Sequence, residues 1–335
     1  MARMTLLQTY QALKEAGTSD DFPKLLGNVA HKKLLKAYNA KNSRWREWTA
    51  QGDLVDFKTH DRVILSEAPD LLPIDGEGQP YEDSGMPVDD RYQIKLGTKG
   101  RMFGLTRQAI INDDLNGFLR MPDAYGRGAQ RTLAKDAVKV LEVNPTCFDG
   151  SALFASGHAN TVAGNLTADD AGVVKLGSAW TKMANATDPR SGEKIGVTPW
   201  ALLCAPTMAI VCQRLLGLGE LRPVSTSGGP VNNPFAPGGS MALPGGVIVE
   251  PFLTFTDRVY LIANPADMPV VEVGFLNGVQ EPTLLFQKPQ AQRVVGGGDD
   301  PYSFDVDDMW WKVRHDWATA VAQYQGVVGI GGGLT

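Results

Sequence analysis

Between the apolar run Val63 to Leu65 and the alternating residues Tyr92, Ile94 and Leu96 lie Pro69, Pro73, Gly76, Gly78, Pro80, Gly85 and Pro87. Proline gives no donor to a β-ladder and fixes φ, while glycine loosens the backbone, so no continuous strand or helix can cross this segment. On its far side Gln93 and Lys95 fall between the apolar positions, the pattern of a strand with one buried face. The chain is therefore expected to form a long hairpin with an irregular tip. Two lone strands are marginal in water, so such a hairpin must lie on another surface. Charge narrows the choice of surface. Residues 61–90 hold nine Asp/Glu and one Arg, a net of −8, whereas residues 91–140 hold ten Lys/Arg and four Asp, a net of +6. Residues 1–60 carry +4, and the whole chain only −5. The sign changes in blocks, so one part of the chain complements another, within a copy or between copies.

The rest of the chain alternates helix and strand signals. Leu6, Leu7, Tyr10 and Leu13 recur at helical spacing before Gly17, and Phe22, Leu25, Leu26, Val29, Ala30, Leu34 and Tyr38 follow the caps Ser19 and Asp20, with Pro23 in the first turn. Trp45 and Trp48 sit among Arg44, Arg46 and Glu47 and need something to bury against. After the caps at 112–114 a helical segment reaches Met121, and a longer helix runs from Pro122 to about Val143 with Leu133, Ala137, Val140 and Leu141 inward. On it Arg127, Arg131, Lys135 and Lys139 are spaced four apart. This stripe reads as a solvated face or a contact with acidic residues, with a phosphate backbone as the alternative. Further on come a helix at 171–185, a strand at 200–204, a buried helix at 206–216 and a Gly/Pro/Ser-rich loop at 222–246, placed at a lobe's edge. Strands follow at 246–249, 258–263, 270–276 and 283–287. From Trp311 the odd positions Val313, His315, Trp317, Thr319 and Val321 alternate with Lys312, Arg314 and Asp316, a strand longer than usual in which His315 is packed.

With 335 residues, 43% of them apolar, the chain can bury a full core and exceeds the ~250–300 residues at which one core stops growing, so two lobes are expected. No stretch approaches the ~18 apolar residues of a membrane span, and Met1 to Leu7 lacks a secretory core, so the chain is expected to stay in the cytoplasm and off the membrane. Cys147, Cys204 and Cys212 form no CxxC pair, and four histidines (His31, His60, His158, His315) supply a zinc site poorly. Phosphate-loop and dinucleotide fingerprints are missing, so no cofactor is expected. The best enzymatic candidate is His158, with Cys147 and Asp149 upstream, residue types a Cys/His hydrolase would use. Nothing in the spacing specifies that arrangement, and a loop histidine satisfied by backbone groups is the favoured reading.

Four stretches carry a resemblance: Ser19 to Tyr38 (SDDFPKLLGNVAHKKLLKAY), Phe103 to Phe118 (FGLTRQAIINDDLNGF), Phe148 to Asn160 (FDGSALFASGHAN) and Trp311 to Val328 (WKVRHDWATAVAQYQGVV). In order and combination they resemble the major capsid proteins of tailed bacteriophages with the Hong Kong 97 fold, closest to the capsid part of prophage protease-capsid fusions and to Mu-like head proteins. The resemblance implies an α+β fold: an N-terminal arm over residues 1–60, an extended hairpin, the E-loop, over 61–105, a P domain with a long spine helix over 106–196, an A domain over 197–265, and a return to the P domain over 266–335. It implies a structural protein and not an enzyme, with no cofactor or metal. Its partner would be itself, in the hexamers and pentamers of an icosahedral virion shell that encloses double-stranded DNA without reading its sequence. Assembly would take place in the bacterial host cytoplasm. Because only eighteen residues precede Ser19, portal, scaffolding and maturation protease are expected as separate proteins. The expected contact between subunits sets the acidic Asp75, Glu77, Glu82 and Asp83 over a neighbour's Arg127, Arg131, Lys135 and Lys139, while Trp45 and Trp48 anchor the arm. His158 then belongs to a loop typical of the family.

Overall fold

The computed structural model describes residues 21–40, 43–65, 71, 89–106, 108, 115–221, 231–287, 291–292, 299–300, 303 and 305–334. Its contacts divide into two units, each assembled from separate stretches of chain. The first takes the described residues of Met1–Asn42, Gly97–Leu133 and Val279–Trp317, the second those of Ser43–Leu96, Ala134–Gly278 and Ala318–Thr335.

In the second unit a five-stranded sheet runs in the order Thr161–Val162, Val327–Ile330, Val259–Ala263, Pro199–Cys204 and Gly246–Val249. The central strand, Val-Tyr-Leu-Ile-Ala, is buried at every position, and strands covered on both faces carry such unbroken apolar runs. It pairs antiparallel to both neighbours, Leu261 facing Leu202 on one side and Val328 on the other. The helices Asp170–Ala184 and Ala209–Gly217 add Leu176, Ala179 and Met183, and Cys212 and Leu215, to the same core. Asp169 caps the first of them, its side chain accepting from the Gly172 amide. A smaller cluster of Leu54, Ile94, Leu96 and Ala318 lies where the strand Ala50–Leu54 pairs in parallel with Val271–Leu276 and the hairpin strands Thr59–Leu65 and Asp89–Lys95 begin.

In the first unit the strand Asp308–Val321 supplies its first ten residues to an antiparallel ladder with Gly97–Thr106, Trp311 opposite Phe103, and Thr283–Phe286 pairs along its other edge. Helix Asp21–Tyr38 and the Leu115–Leu133 part of the long helix Leu115–Val143 belong to this unit. Its core is a run of stacked rings: Tyr125 on Phe103 at 4.7 Å, Phe103 on Trp311 at 5.7 Å, and Phe286 tilted against Trp311 at 5.6 Å. The two helices meet at Gly126, where a Cβ would stand 2.4 Å from the Leu34 carbonyl oxygen, so only glycine permits that approach.

Several sequence expectations are corrected. The return strand of the hairpin ends at Lys95, and Gly97–Thr106 belongs to the ladder with Asp308–Val321, so residues 97–105 are no part of the hairpin assigned to 61–105. The segment 266–335 does not go to one domain: Val327–Ile330 is a strand of the sheet built by 199–263, where Val327, Val328 and Ile330 are all buried. The helical signals split at Pro122 form one helix. Helix Ala209–Gly217 is one-sided, with Ile210 65% exposed, where a buried helix was expected. The alternation along the long strand ends at Trp317, where the chain leaves the first unit, and Ala318 is buried next to it. The loop 222–246 is in part packed: Phe235 and Leu243 lie in the core and Asn233 donates to the Leu215 and Leu218 carbonyls. The expectations at 6–13, at Ser19 and Asp20, at 66–70 and 72–88, at 112–114 and at 222–230 lie outside the described residues.

Candidate functional site

The hairpin stem is built by strict alternation. Paired residues of an antiparallel ladder share a face, and here His60 opposes Ile94, Arg62 opposes Tyr92 and Ile64 opposes Asp90. These six are buried or half-buried, whereas Thr59, Asp61, Val63, Arg91, Gln93 and Lys95 on the other face are exposed. The inner face is fixed by ionic contacts within the second unit. Glu272, 5% exposed, accepts from Arg62 Nη2 at 2.9 Å through Oε1 and from the Tyr92 hydroxyl at 2.5 Å through Oε2. Burial first, and then the hydrogen bond and charge of Glu272, push the Tyr92 hydroxyl far above the usual tyrosine range, so it stays a donor. Two residues further toward the tip, Asp90 Oδ1 accepts from Arg190 Nη2 at 2.7 Å and Nε at 3.0 Å. Sequence reading located Tyr92 and Ile94 but missed Glu272 and Arg190, whose partners lie 180 and 100 positions away.

The basic stripe is where the spacing put it. Arg127, Arg131, Lys135 and Lys139 are all exposed along one helix. Lys135 lies 6.0 Å from the Phe252 ring centroid. Within the first unit the helix leaves a cleft of about 570 Å³ beside the ladder. Small residues Ala124, Gly128 and Ala129 open it, Val313, His315 and Trp317 line it from the strand, and Lys99, Arg101 and Arg131 bring three cations to it. Lys99 and Arg101 were not among the expected contact residues. Their signal was weak, since they are two charges of a half-exposed strand. His315 is 4% exposed, packed edge-on against Tyr38 at 5.5 Å, as its place beside Val313 and Trp317 suggested.

The remaining expected contact residues divide. Trp45 and Trp48, 0% and 2% exposed, form one face of the one-turn helix Trp45–Trp48 and are packed inside the second unit, Trp45 against Phe275 at 6.3 Å. A ring with no exposed area has nothing to offer a second copy, so the arm-anchoring role expected of this pair gives way to a core role. Asp75, Glu77, Glu82 and Asp83 lie outside the described residues.

The hydrolase candidates are brought near one another and configured for something else. His158 Nε2 pairs with Asp149 Oδ2 at 2.7 Å and Nδ1 with the Leu153 carbonyl at 3.0 Å, and the ring stacks on Tyr324 at 3.6 Å and 3°. Both ring nitrogens are thus engaged. Burial, helped by the charge of Asp149, pushes the Cys147 thiol up to about 12, the opposite of an activated nucleophile. Burial resists ionisation of Asp149 too, but hydrogen bonds from His158 and the Ser151 amide outweigh it and hold the carboxyl below its usual range. This is a structural knot, and the Cys147/His158 hydrolase reading fails. No group of His, Cys, Asp and Glu among the described residues is arranged to hold a metal.

Residues 91–330 match the model of a family described as phage capsid protein. No curated protein matches the chain. Among solved structures it is similar to a virus-like particle from Pyrococcus furiosus, at 14% identity and a TM-score of 0.51, covering 90% of this chain and 98% of that one. The structure from Mycobacterium phage Bobi aligns at 12% identity and a TM-score of 0.52, covering 88% and 92%. The capsid of a native GTA particle aligns at 11% and 0.51, covering 85% and 88%. At these identities the likeness speaks to the fold, an α+β capsid fold of the Hong Kong 97 type.

Proposed function

The chain belongs to the phage capsid protein family, and from that premise we propose that copies of it join into the hexamers and pentamers of an icosahedral shell by setting the acidic hairpin segment of one against the basic helix and cleft of the next. The protein is a structural major capsid protein of the virion. Its work is association, and no covalent step is assigned to it. The observation that carries the proposal is the exposure of Arg127, Arg131, Lys135 and Lys139 on one helix, in a chain whose residues 61–90 carry a net −8. The acceptor surface includes the cleft with Lys99 and Arg101, and the donor residues are Asp75, Glu77, Glu82 and Asp83. Contact between two different surfaces is head-to-tail and closes into rings when the rotation permits.

Exposed charge pairs contribute only about 0–1 kcal/mol each, so durability comes from number. An interface of ~1,200–2,000 Å² repeated around every subunit is enough, and the charges choose partner and register more than they supply affinity. The shell encloses double-stranded DNA without reading its sequence. Portal, scaffolding and maturation protease are its proposed partners, and assembly takes place in the host cytoplasm.

Reversing the acidic set with Asp75→Lys, Glu77→Lys, Glu82→Lys and Asp83→Lys should abolish closed shells in sedimentation and negative-stain images. Adding Arg127→Glu, Arg131→Glu, Lys135→Glu and Lys139→Glu to the same chain should bring them back. Intact shells from the first variant, or no recovery in the second when it folds, would sink the pairing.

A further inference from the structure

We propose that Asp90 with Arg190, and Glu272 with Arg62 and Tyr92, are positioning residues that aim the hairpin from its own subunit, so that its tip reaches a second copy in the correct register. The inference rests on the reading that the hairpin contacts another copy, and it concerns how that hairpin is held.

Geometry makes such a device necessary. Seven residues of strand extend about 23 Å, so a tilt of about 10° at the root moves the end of the described stem by about 4 Å, more than one residue of register along a strand. A two-stranded ribbon does not resist tilt by itself.

The stem is held at three successive inward positions of one strand. Ile94 is packed with Leu54 and Leu96 at the root. Tyr92, with Arg62 opposite it, is bound to Glu272. Asp90, next to the first residue of the described return strand, is bound to Arg190. Apolar packing alone would let the stem rock about Ile94. The two ionic links add directional contacts at increasing distance from that pivot.

Both anchors are themselves immobilised. Arg190 stands on a tight turn in which Asp188 Oδ1 accepts from the Arg190 amide at 2.7 Å and the Ser191 amide at 3.2 Å, the Gly192 amide donates to the Asp188 carbonyl at 2.9 Å, and Thr187 bridges Lys194. Gly192 has φ +74°, which favours glycine there. Glu272 lies in the strand Val271–Leu276, paired with Ala50–Leu54. A Cβ on Gly52 would stand 2.0 Å from Glu272 Oε1 and 3.0 Å from Arg62 Nη2, so the glycine clears the space in which the carboxylate meets the guanidinium. Arg62 Nη2 also donates to the Asp53 carbonyl at 2.8 Å.

In the outer link the Arg190 side chain is 53% exposed and that of Asp90 only 11%. The guanidinium therefore meets a carboxylate that burial would otherwise penalise, and it does so from a turn outside the hairpin, so the same contact that satisfies Asp90 also fixes the angle of the stem.

The full-length chain carrying Arg190→Ala should still fold, with a melting temperature lowered by several degrees for the carboxylate left unmet, and should give shells of mixed diameter or a several-fold lower yield of closed particles at temperatures where the subunit is fully folded. Arg190→Lys should restore part of the uniformity, and exchanging the charges with Asp90→Arg and Arg190→Asp should restore most of it. Gly52→Ala, which displaces the inner link, should reproduce the defect. Uniform shells of parental diameter and yield from Arg190→Ala would overturn the proposal, and so would a failure of Arg190→Ala to fold, which would make the pair a structural one. Deletion of residues 70–88 separates the two readings. Shells from the deletion variant would remove the hairpin from assembly altogether, whereas no shells from it beside normal shells from Arg190→Ala would reject only the aiming role.

Discussion

Among the described residues, every buried acid lies in the second unit: Glu250, Glu272, Asp188 and Asp90, none more than 9% exposed. The first unit holds its rings inside and sends Arg101, Arg127 and Arg131 outward. A buried carboxylate is costly unless donors meet it, so a fold keeps one where it fixes geometry. Exposed cations cost nearly nothing and are available to whatever approaches. The difference assigns work: acids in the second unit hold loops and the hairpin, and cations in the first present a surface.

The core role of the second unit is tested most severely at its largest rings. Trp45→Ala should destabilise that unit by about 3–5 kcal/mol, the loss expected for a large buried ring, and Trp48→Ala similarly. Thermal melting of the unassembled subunit reads this directly. A variant that melts normally but fails to assemble would return the pair to the contact between copies. The first unit has a smaller counterpart. Gly126→Ala drives a methyl group into the Leu34 carbonyl, and about 1–3 kcal/mol of overpacking strain is expected. If its melting is unchanged, the two helices are further apart than described.

These two sites also mark how much the sequence discloses. Periodicity located the strands of the sheet, because Pro199–Cys204 and Val259–Ala263 are unbroken apolar runs with one way to be buried. It located the long helix and its four outward cations, since spacing by four keeps side chains near one face. It could not divide the chain into units, because Gly97–Thr106 and Val327–Ile330 choose partners 202–220 and 65–71 residues away and a strand pattern names no partner. The same holds for the hairpin mount. Alternation at Tyr92, Ile94 and Leu96 announces an inner face, but that Asp90 continues it and that Arg190 and Glu272 meet it is decided by folding at a distance. The burial that Trp45 and Trp48 require is legible in the sequence, but not that their own unit supplies it, where Arg46 folds over the Trp45 ring at 4.6 Å.

The buried acids can be tested one step further through pH. Burial raises the Glu250 carboxyl above its ordinary value, opposed by donation from Ser43 at 2.7 Å. A group whose proton is held more tightly in the folded chain adds stability that is complete below its unfolded pKa and is lost as pH climbs through the folded one. The second unit should therefore lose stability from the ordinary glutamate range upward, and Glu250→Gln should flatten the melting temperature between about pH 5 and about pH 8. An unchanged slope would mean that Glu250 is fully paired as a carboxylate and that burial is not the dominant influence on it.

The smallest effect on folding should come from the cations, and it is the most discriminating. Truncating Arg127, Arg131, Lys135 and Lys139 to alanine one at a time should change subunit stability by less than about 1 kcal/mol each, because exposed charges are well solvated in the single copy. The same truncations should weaken assembly, and the yield of parental shells should fall as ionic strength rises, since a Debye length of about 8 Å at physiological salt shrinks to about 3 Å at 1 M. Lys135 is the internal control. Its place over Phe252 gives it an intramolecular contact, so Lys135→Ala should move the melting temperature most and the salt dependence least. If all four behave alike in both measurements, the stripe is a solvated face, and the surface that one copy presents to the next lies elsewhere.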